Sequence, residues 1–272
     1  MSPPLCHTDH TSGEIIMTEQ NLFDQATERL DRINENLSLI QLKTGLTFGT
    51  DSYLLAAFAK AQKNGVCVEL GGGTGVVSLL AASRGKFSLI HCAEIQPYFA
   101  DLIKRNVQMN GLDDKVKSIL SDVRELSPTT FGGEVHSVMS NPPYMRTSSG
   151  FDNCTAEMNT ARREENGTIN DFCATAARLL KFGGYFSVVY RPDRLSDLIF
   201  ALKNNNLEPK RMVTIYPTTE SKPCLVLIEA KKGAASGLVQ SRPLIINKSK
   251  NSTEYTADMQ AVYDNFSLEH LF

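Results

Sequence analysis

Residues 68–75 read VELGGGTG, a strand end followed by a glycine-rich turn that is typical of α/β folds. It places a short strand that ends at Leu70 directly before a glycine-rich turn, with a helix beginning near Gly75. Glycines allow the backbone to turn tightly there and to approach a ligand closely. The glycines concerned are Gly71, Gly72, Gly73 and Gly75. A GxGxG turn also occurs where no ligand binds, so the surrounding sequence must decide its meaning.

The sequence around this turn alternates between short apolar strands and helices. Strands are predicted at 66–70, 88–93, 116–120, 135–140, 185–190, 213–216 and 224–230, and helices at 75–84, 97–110, 168–180 and 192–205. This alternation predicts a parallel sheet with helices on both faces. The last two strands are joined by a short loop, so we expect them to pair antiparallel. The expected fold class is α/β, with a Rossmann-like, mostly parallel sheet of seven strands.

The flanking segments are less regular. Residues 22–37 are predicted to form a polar helix, because Leu22, Ala26, Leu30 and Ile33 recur at helical spacing. Residues 39–42 and 46–48 are predicted to form a small hairpin, and 52–63 a second helix. We expect one domain over 18–250, preceded by a disordered extension at 1–17 and followed by a tail at 251–272.

The charge balance argues against a purely electrostatic nucleic-acid binder. The chain carries 28 Lys and Arg residues against 30 Asp and Glu residues. From 146 to 250, however, 16 basic residues stand against 10 acidic ones, which leaves 12 against 20 in the remainder. A basic second half is compatible with one anionic partner, and equally with an ordinary solvated surface.

Cysteine usage indicates a reducing compartment. The six cysteines are scattered and form no CxxC pair, so we expect neither disulfides nor a bound metal. The N-terminus lacks a basic segment followed by an apolar one, and no apolar stretch is long enough to span a membrane. We therefore expect a cytoplasmic protein without a membrane partner.

Acidic residues follow the predicted strands in a pattern that suits a nucleoside cofactor. Glu94 closes the second strand, 19 residues after Gly75. A carboxylate at this place can accept hydrogen bonds from both ribose hydroxyls. The alternative is an exposed carboxylate at the end of a strand. The turn is GxGxG rather than GxGxxG, so NAD is not the best fit.

The tetrapeptide NPPY at 141–144 carries the chemistry. Pro142 and Pro143 lack backbone donors and stiffen the loop, which leaves carbonyl oxygens as fixed acceptors. The Asn141 side chain and the Pro142 carbonyl can each accept a hydrogen bond from a planar amino group, while Tyr144 stacks on the attached ring. The sequence therefore predicts that this loop positions an amine for reaction.

Together these features resemble the S-adenosylmethionine (SAM)-dependent methyltransferases with a Rossmann-like sheet. The resemblance implies SAM as cofactor and S-adenosylhomocysteine as product. It implies that Glu69 supports the methionine end, Glu94 the ribose and Asp122 the adenine amino group. Asp51, in GTDSYLLAA, matches a segment that often lines the methionine pocket; the alternative is an acidic residue that favours the start of a helix.

Longer runs resemble the bacterial tRNA(Val) adenine-N6 methyltransferase family over about residues 19–250. These runs include ENLSLIQLKTGLTFGTDSYLLAAF, SNPPYMR, ARREENGTINDF and LKFGGYFSVVYRPDRLSDLI. The resemblance implies methylation of the adenine beside the anticodon, position 37, with the tRNA anticodon loop as partner. The chain is expected to act as a monomer or weak dimer.

Basic residues after the strand ends are candidates for phosphate contacts. They include Arg146, Arg162, Arg163, Arg191 and Arg194, with Lys210, Arg211 and Lys222 expected on the same rim. The alternative is that they pair with nearby acidic residues such as Glu164, Glu165, Asp193 and Asp197, and we expect about half to do so.

NPPY does not choose the substrate by itself. A protein glutamine methyltransferase shares it but carries a substantial helical domain ahead of the catalytic one. An rRNA adenine or guanine-N2 methyltransferase stays open, whereas a DNA adenine enzyme normally needs a larger recognition insertion. A SAM-binding scaffold without activity does not need an intact NPPY.

Overall fold

A mostly parallel sheet organises the chain in the computed structural model, which describes residues 23–44, 48–143 and 167–272. The strands in chain order are β1 Glu28–Asn34, β2 Leu37–Leu42, β3 Gln62–Leu70, β4 Phe87–Glu94, β5 Val116–Leu120, β6 Val135–Ser140, β7 Leu180–Tyr190, β8 Leu207–Tyr216, β9 Leu225–Lys232, β10 Val239–Gln240 and β11 Leu244–Ile245. The helices are α1 Thr50–Phe58, α2 Val76–Ser83, α3 Pro97–Met109, α4 Ile169–Leu179, α5 Leu195–Asn204 and α6 Ala257–Asn265. In the part of the chain that the structure describes, none of the helices has the length and apolar composition that a transmembrane span requires.

The sheet confirms the predicted class and topology. Its order is β10-β8-β9-β7-β6-β3-β4-β5, with β11 also on β8. Strands β3 to β7 pair in parallel, and β9 is antiparallel to both β7 and β8. Two-residue strands β10 and β11 extend the seven predicted strands. They were not predicted because two residues are too few to show a period.

Apolar side chains of β3 enter cores on both faces of the sheet. Cys67 belongs to the core formed with α1, α2, α3 and α6. Val68 and Leu70 belong to the core formed with α4 and α5. Because consecutive side chains of a strand point to opposite faces, both faces must be covered. Helices on both faces are thereby confirmed.

The predicted helix at 22–37 and the hairpin of 39–42 with 46–48 are both wrong. Residues 28–42 instead form an antiparallel hairpin of β1 and β2, in which Glu28 faces Leu42. Burial explains the difference: Leu39 and Ile40 of β2 are fully buried, whereas Leu30, part of the supposed helical stripe, is 38% exposed. The stripe at 22–33 is therefore not a packed face; Leu22 lies outside the described residues.

The helix predicted at 52–63 begins and ends earlier, as α1. The Lys86 ammonium donates hydrogen bonds to the carbonyl oxygens of Ala57 (2.6 Å) and Ala59 (2.8 Å), which satisfies the helix end. Gln62 then donates from its backbone to the Lys86 carbonyl (2.8 Å), so the chain enters β3 directly.

The C-terminal segment packs on the face that carries α1. Helix α6 begins after Thr256, whose hydroxyl accepts a hydrogen bond from the Met259 backbone (3.2 Å). Met259, Val262 and Phe266 are buried in the core that α1 and α2 share. Part of the predicted tail at 251–272 thus contributes to the apolar core.

Candidate cofactor and acceptor site

The glycine turn between β3 and α2 has a backbone that requires glycine. Gly71, Gly73 and Gly75 have φ values of 74°, 55° and 81°, in the left-handed region. A side chain at any of the three is strained. A Cβ on Gly73 meets nothing within 4 Å, so the outer side of the turn is open. The turn combines tight backbone geometry with space for a ligand.

Gly72 is required for another reason, which is close packing. A Cβ at this position lies 2.2 Å from the Cys92 sulfur. The backbone nitrogens of Gly71 and Gly72 both donate to the Ala93 carbonyl oxygen, at 2.9 and 3.0 Å. The turn is therefore anchored to the end of β4.

A cleft lies against this turn, at the carboxyl ends of β3 and β6. This is where the strand order reverses, the usual ligand site of open α/β sheets. Its lining is formed by Phe48, Ser52, Glu69, Gly71, Gly72, Gly73, Thr74, Val76, Val77 and Asn141. The structure thus brings four predicted site residues, Glu69, Gly71, Gly73 and Asn141, to one cleft.

Glu69 presents a buried carboxyl group at the bottom of the turn. Its Oε2 accepts hydrogen bonds from the Ser78 backbone (2.9 Å), the Ser78 hydroxyl and the Cys92 thiol (3.4 Å). Burial nevertheless raises its pKa to about 7. A cationic ligand in the cleft favours the ionised form.

Glu94 ties the glycine turn to the end of β4. Its Oε2 accepts from the Gly73 backbone (2.9 Å) and its Oε1 from the Gln96 backbone (2.9 Å). The residue is 5% exposed. Each carboxylate oxygen can accept a further hydrogen bond, so the arrangement is compatible with ribose hydroxyls. The ribose assignment stays a prediction.

Asp122 follows β5 and is held by Arg124. The Arg124 guanidinium reaches Oδ2 at 2.5 Å, and its backbone nitrogen reaches Oδ1 at 2.8 Å. These bonds lower the pKa of Asp122. Asp122 is not part of the cleft lining, and its assignment to the adenine amino group stays a prediction.

Asn141 is oriented by the start of α1. Its Nδ2 donates to Asp51 Oδ2 (3.0 Å) and to the Ser52 hydroxyl (3.4 Å). The next residue, Pro142, is buried. Asp51 therefore contacts the NPPY loop, a contact between residues far apart in sequence. Tyr144 lies outside the described residues.

Two of the predicted RNA-binding arginines lie after β7 and carry ion pairs. Arg191 pairs with Asp193 (2.7 Å) and Arg194 with Asp197. The expected pairing with acidic neighbours is confirmed for both. Arg146, Arg162 and Arg163 lie outside the described residues.

The prediction that Lys210 and Arg211 follow a strand end is wrong. Both lie inside β8. Arg211 pairs with Glu269 (2.8 Å) and stacks on Phe272, 4.2 Å from the ring centre. It is therefore engaged with the C-terminal segment and contributes to its packing.

Phe48 and Ser52 are site residues that sequence reasoning missed. Phe48 lines the cleft, and its backbone donates to Gln41 of the hairpin at 2.5 Å. Both residues flank Gly49, Thr50 and Asp51, and this position beside the GTD segment is the feature of the sequence that could have indicated them. Within residues 23–44, 48–143 and 167–272, no group of His, Cys, Asp and Glu can hold a metal ion.

Part of the chain that includes the glycine turn and Asn141 matches a known methyltransferase family. The family described as the TRM5/TYW2 methyltransferase domain matches residues 55–153. A tRNA1(Val) (adenine(37)-N6)-methyltransferase of Phocaeicola vulgatus is 25% identical over 224 residues, 82% of this chain and 93% of the relative. Its namesake from Photobacterium profundum is 24% identical over 228 residues, 83% of this chain and 92% of the relative.

Solved structures share the fold. A predicted O-methyltransferase, Atu636 from Agrobacterium tumefaciens, has a TM-score of 0.63 at 20% identity, covering 80% of this chain and 97% of its own. The M. jannaschii tRNA m1G37 methyltransferase has a TM-score of 0.54 at 16% identity, covering 77% and 58%. The chain is thus similar over most of its length to tRNA1(Val) (adenine(37)-N6)-methyltransferases, and it shares its fold with solved methyltransferases.

Proposed function

We propose that the chain methylates the N6 amino group of an adenine in tRNA, the adenine beside the anticodon at position 37 of a tRNA(Val). One observation carries this proposal: Asn141, the first residue of NPPY, lines the same cleft as the glycine turn. Cofactor and acceptor amine can therefore meet at one place. The names of the relatives supply the substrate class.

The cleft suits SAM by its donors, acceptors and space. The open turn at Gly73 accommodates a ligand, and the carboxyl groups of Glu69 and Glu94 suit a cationic amino acid end and a ribose. We assign the methionine end to Glu69, the ribose to Glu94 and the adenine to Asp122. When bound, SAM supplies a methyl group activated by a positively charged sulfur.

The NPPY loop does the positioning. The Asn141 carbonyl oxygen and the Pro142 carbonyl accept hydrogen bonds from the acceptor amine, which directs its lone pair towards the methyl donor. Both bonds strengthen as positive charge develops on the nitrogen. A strong base is not required for attack, because the methyl donor is already activated by its positive charge. The nitrogen loses one proton to water after it has gained the methyl group, and positioning and electrostatics supply the rate enhancement.

Recognition of the RNA is assigned to the basic rim. Tyr144 stacks on the flipped adenine, and Arg146, Arg162, Arg163, Arg191 and Arg194 contact phosphates. An adenine in a loop is already partly unstacked, so extruding it costs less than from a duplex. We place the protein in the cytoplasm, acting as a monomer or weak dimer.

The decisive experiment is methylation with labelled SAM of tRNA(Val) transcripts carrying adenine or guanine at position 37. Nucleosides are then identified by mass spectrometry. We expect N6-methyladenosine from the first transcript only, and none with the Asn141→Ala protein as matched control. N2-methylguanosine in RNA, or methylated glutamine in protein without N6-methyladenosine, refutes the proposal.

A further inference from the structure

We propose that Asp51 is a positioning residue that fixes the orientation of the Asn141 side-chain amide, so that its carbonyl oxygen faces the acceptor amine. This inference rests on the proposed function and deepens it. The family resemblance assigned Asp51 only to the methionine pocket, and a role through Asn141 is distinct from that.

The orientation follows from the chemistry of the two groups. An ionised carboxylate only accepts hydrogen bonds, so the Asn141 group that lies 3.0 Å from Asp51 Oδ2 must be its NH2. The reverse orientation brings two oxygens together. The amide is planar, with its NH2 and its carbonyl oxygen on opposite sides of the Cβ–Cγ bond. When the NH2 is held against α1, the carbonyl oxygen therefore points away from α1.

Asp51 is itself held in place. Its Oδ1 accepts from the Ser52 backbone (2.8 Å), and the Ser52 hydroxyl also accepts from Asn141 Nδ2 at 3.4 Å. Ser52 and Asn141 both line the cleft. The start of α1 thus presents two acceptors to one side of the Asn141 amide, and this arrangement selects one of its two orientations.

Orientation matters because an amide presents opposite chemistry on its two branches. If the Asn141 amide were rotated by 180°, its NH2 would face the substrate amine, which is itself a hydrogen-bond donor. No hydrogen bond would then hold the nitrogen that receives the methyl group. The loss appears in the transition state, where the amine becomes positively charged. We therefore expect turnover, rather than cofactor affinity, to depend on Asp51.

Gly49 offers an independent way to move the Asp51 carboxylate. A Cβ built on Gly49 lies 2.7 Å from Asp51 Oδ1. The backbone of Gly49 has φ −124° and ψ 171°, which alanine adopts without strain. Gly49→Ala therefore displaces the carboxylate without changing any charge and without replacing a residue of the cleft.

A role in helix stability is the competing explanation, since Asp51 lies in the first turn of α1. The variant Thr50→Asp with Asp51→Asn keeps one carboxylate in that turn and removes the one that faces Asn141. If helix stability alone mattered, this variant restores the activity lost in Asp51→Asn.

The test is a double-mutant cycle between Asp51→Asn and Asn141→Ala, measured as turnover on tRNA and as SAM affinity by calorimetry. We expect Asp51→Asn and Gly49→Ala each to lower kcat about tenfold or more while SAM affinity changes by less than about twofold. In the Asn141→Ala background, Asp51→Asn has no further effect. Independent effects in the cycle, rescue by Thr50→Asp, or a loss of SAM affinity that matches the loss of turnover each overturn the proposal.

A second measurement separates this proposal from the proposed function. The side-chain NH2 signal of Asn141 is assigned in an amide NMR spectrum by its absence in Asn141→Ala. We expect Asp51→Asn and Gly49→Ala to shift that signal, whatever acceptor the enzyme methylates. An unmoved signal overturns the positioning role, whereas a shifted signal without tRNA methylation refutes only the substrate.

Discussion

Asn106 of α3 donates a hydrogen bond from its side-chain amide to the carbonyl oxygen of Thr74 in the glycine turn, at 3.0 Å. The same amide pairs with Ile40 of the hairpin, donating to its carbonyl (3.1 Å) and accepting from its nitrogen (2.7 Å). Asn106 is fully buried. One side chain therefore connects the N-terminal hairpin, α3 and the edge of the cleft.

Replacing Asn106 by Leu should lower both stability and SAM affinity. The change leaves the Ile40 nitrogen and two carbonyl oxygens buried without this partner, at about 1–3 kcal/mol for each group. Thermal denaturation and calorimetry with SAM measure the two effects. Asn110→Leu is the matched control, because Asn110 pairs with the Ser38 backbone but not with Thr74. Equal losses of SAM affinity in the two variants contradict the link through Thr74.

These asparagines also explain why sequence reasoning failed for the hairpin. The spacing of Leu30 and Ile33 fits a helix, but β2 is held at its edge by Asn106 and Asn110, 66 and 72 residues later. A local pattern cannot contain such a partner. The strands 116–120 and 135–140 were predicted correctly because their apolar runs are bounded by local signals.

The candidate site shows the same division between local and distant information. The glycine turn was predicted because its backbone conformation depends on local residue types. The sequence alone does not decide whether Asp51 stabilises the start of a helix or contacts the cofactor. Its hydrogen bond to Asn141 joins residues that are 90 positions apart, so no local pattern indicates it. Tertiary packing, and not residue type, brings the two residues together.

Replacing Glu94 by Ala should weaken SAM binding by about 1.5–3 kcal/mol for each charge-assisted hydrogen bond that is removed. The variant also releases the Gly73 and Gln96 backbone nitrogens, so the turn loosens. Calorimetry with S-adenosylhomocysteine and its 2′,3′-dideoxy analogue separates the two effects. If Glu94 binds the ribose, the wild type binds the analogue more weakly than S-adenosylhomocysteine. The ratio of the two affinities is then smaller in Glu94→Ala. An equal difference in both proteins removes Glu94 from the ribose.

SAM affinity should rise with pH between about 6 and 8 through Glu69. Burial raises the pKa of Glu69 to about 7, so below that value the carboxyl is mostly protonated. A cationic ligand favours the carboxylate, and binding at lower pH must therefore release a proton. Calorimetry in buffers of different ionisation enthalpy measures this release. Glu69→Gln serves as control and should bind with little dependence on pH; proton release that persists in it points to another group.

Acid should destabilise the hairpin through Glu28. Burial raises the pKa of Glu28, but bonds from the Arg105 guanidinium (2.8 Å to each oxygen) and the Tyr98 hydroxyl outweigh it and lower the pKa to about 2. A pKa below the unfolded value of 4.5 gives stability that is present above pH 4.5 and lost as pH falls towards 2. The contribution is at most about 3 kcal/mol. Urea unfolding from pH 7 to 2 measures it, and Glu28→Gln should flatten the pH dependence.

Neutralising Arg191 and Arg194 together should weaken tRNA binding and reduce its salt dependence. Removing one phosphate contact lowers the slope of log affinity against log salt concentration by about 0.7–0.9. Both arginines are paired with acidic residues, Arg191 with Asp193 at 2.7 Å and Arg194 with Asp197, so each phosphate group must compete with a carboxylate for its arginine. Asp193→Asn with Asp197→Asn removes that competition and should strengthen binding. Filter binding of tRNA from about 50 to 200 mM salt measures both variants, with SAM affinity unchanged as control. If neither double variant changes the slope, the RNA-binding surface lies elsewhere on the protein.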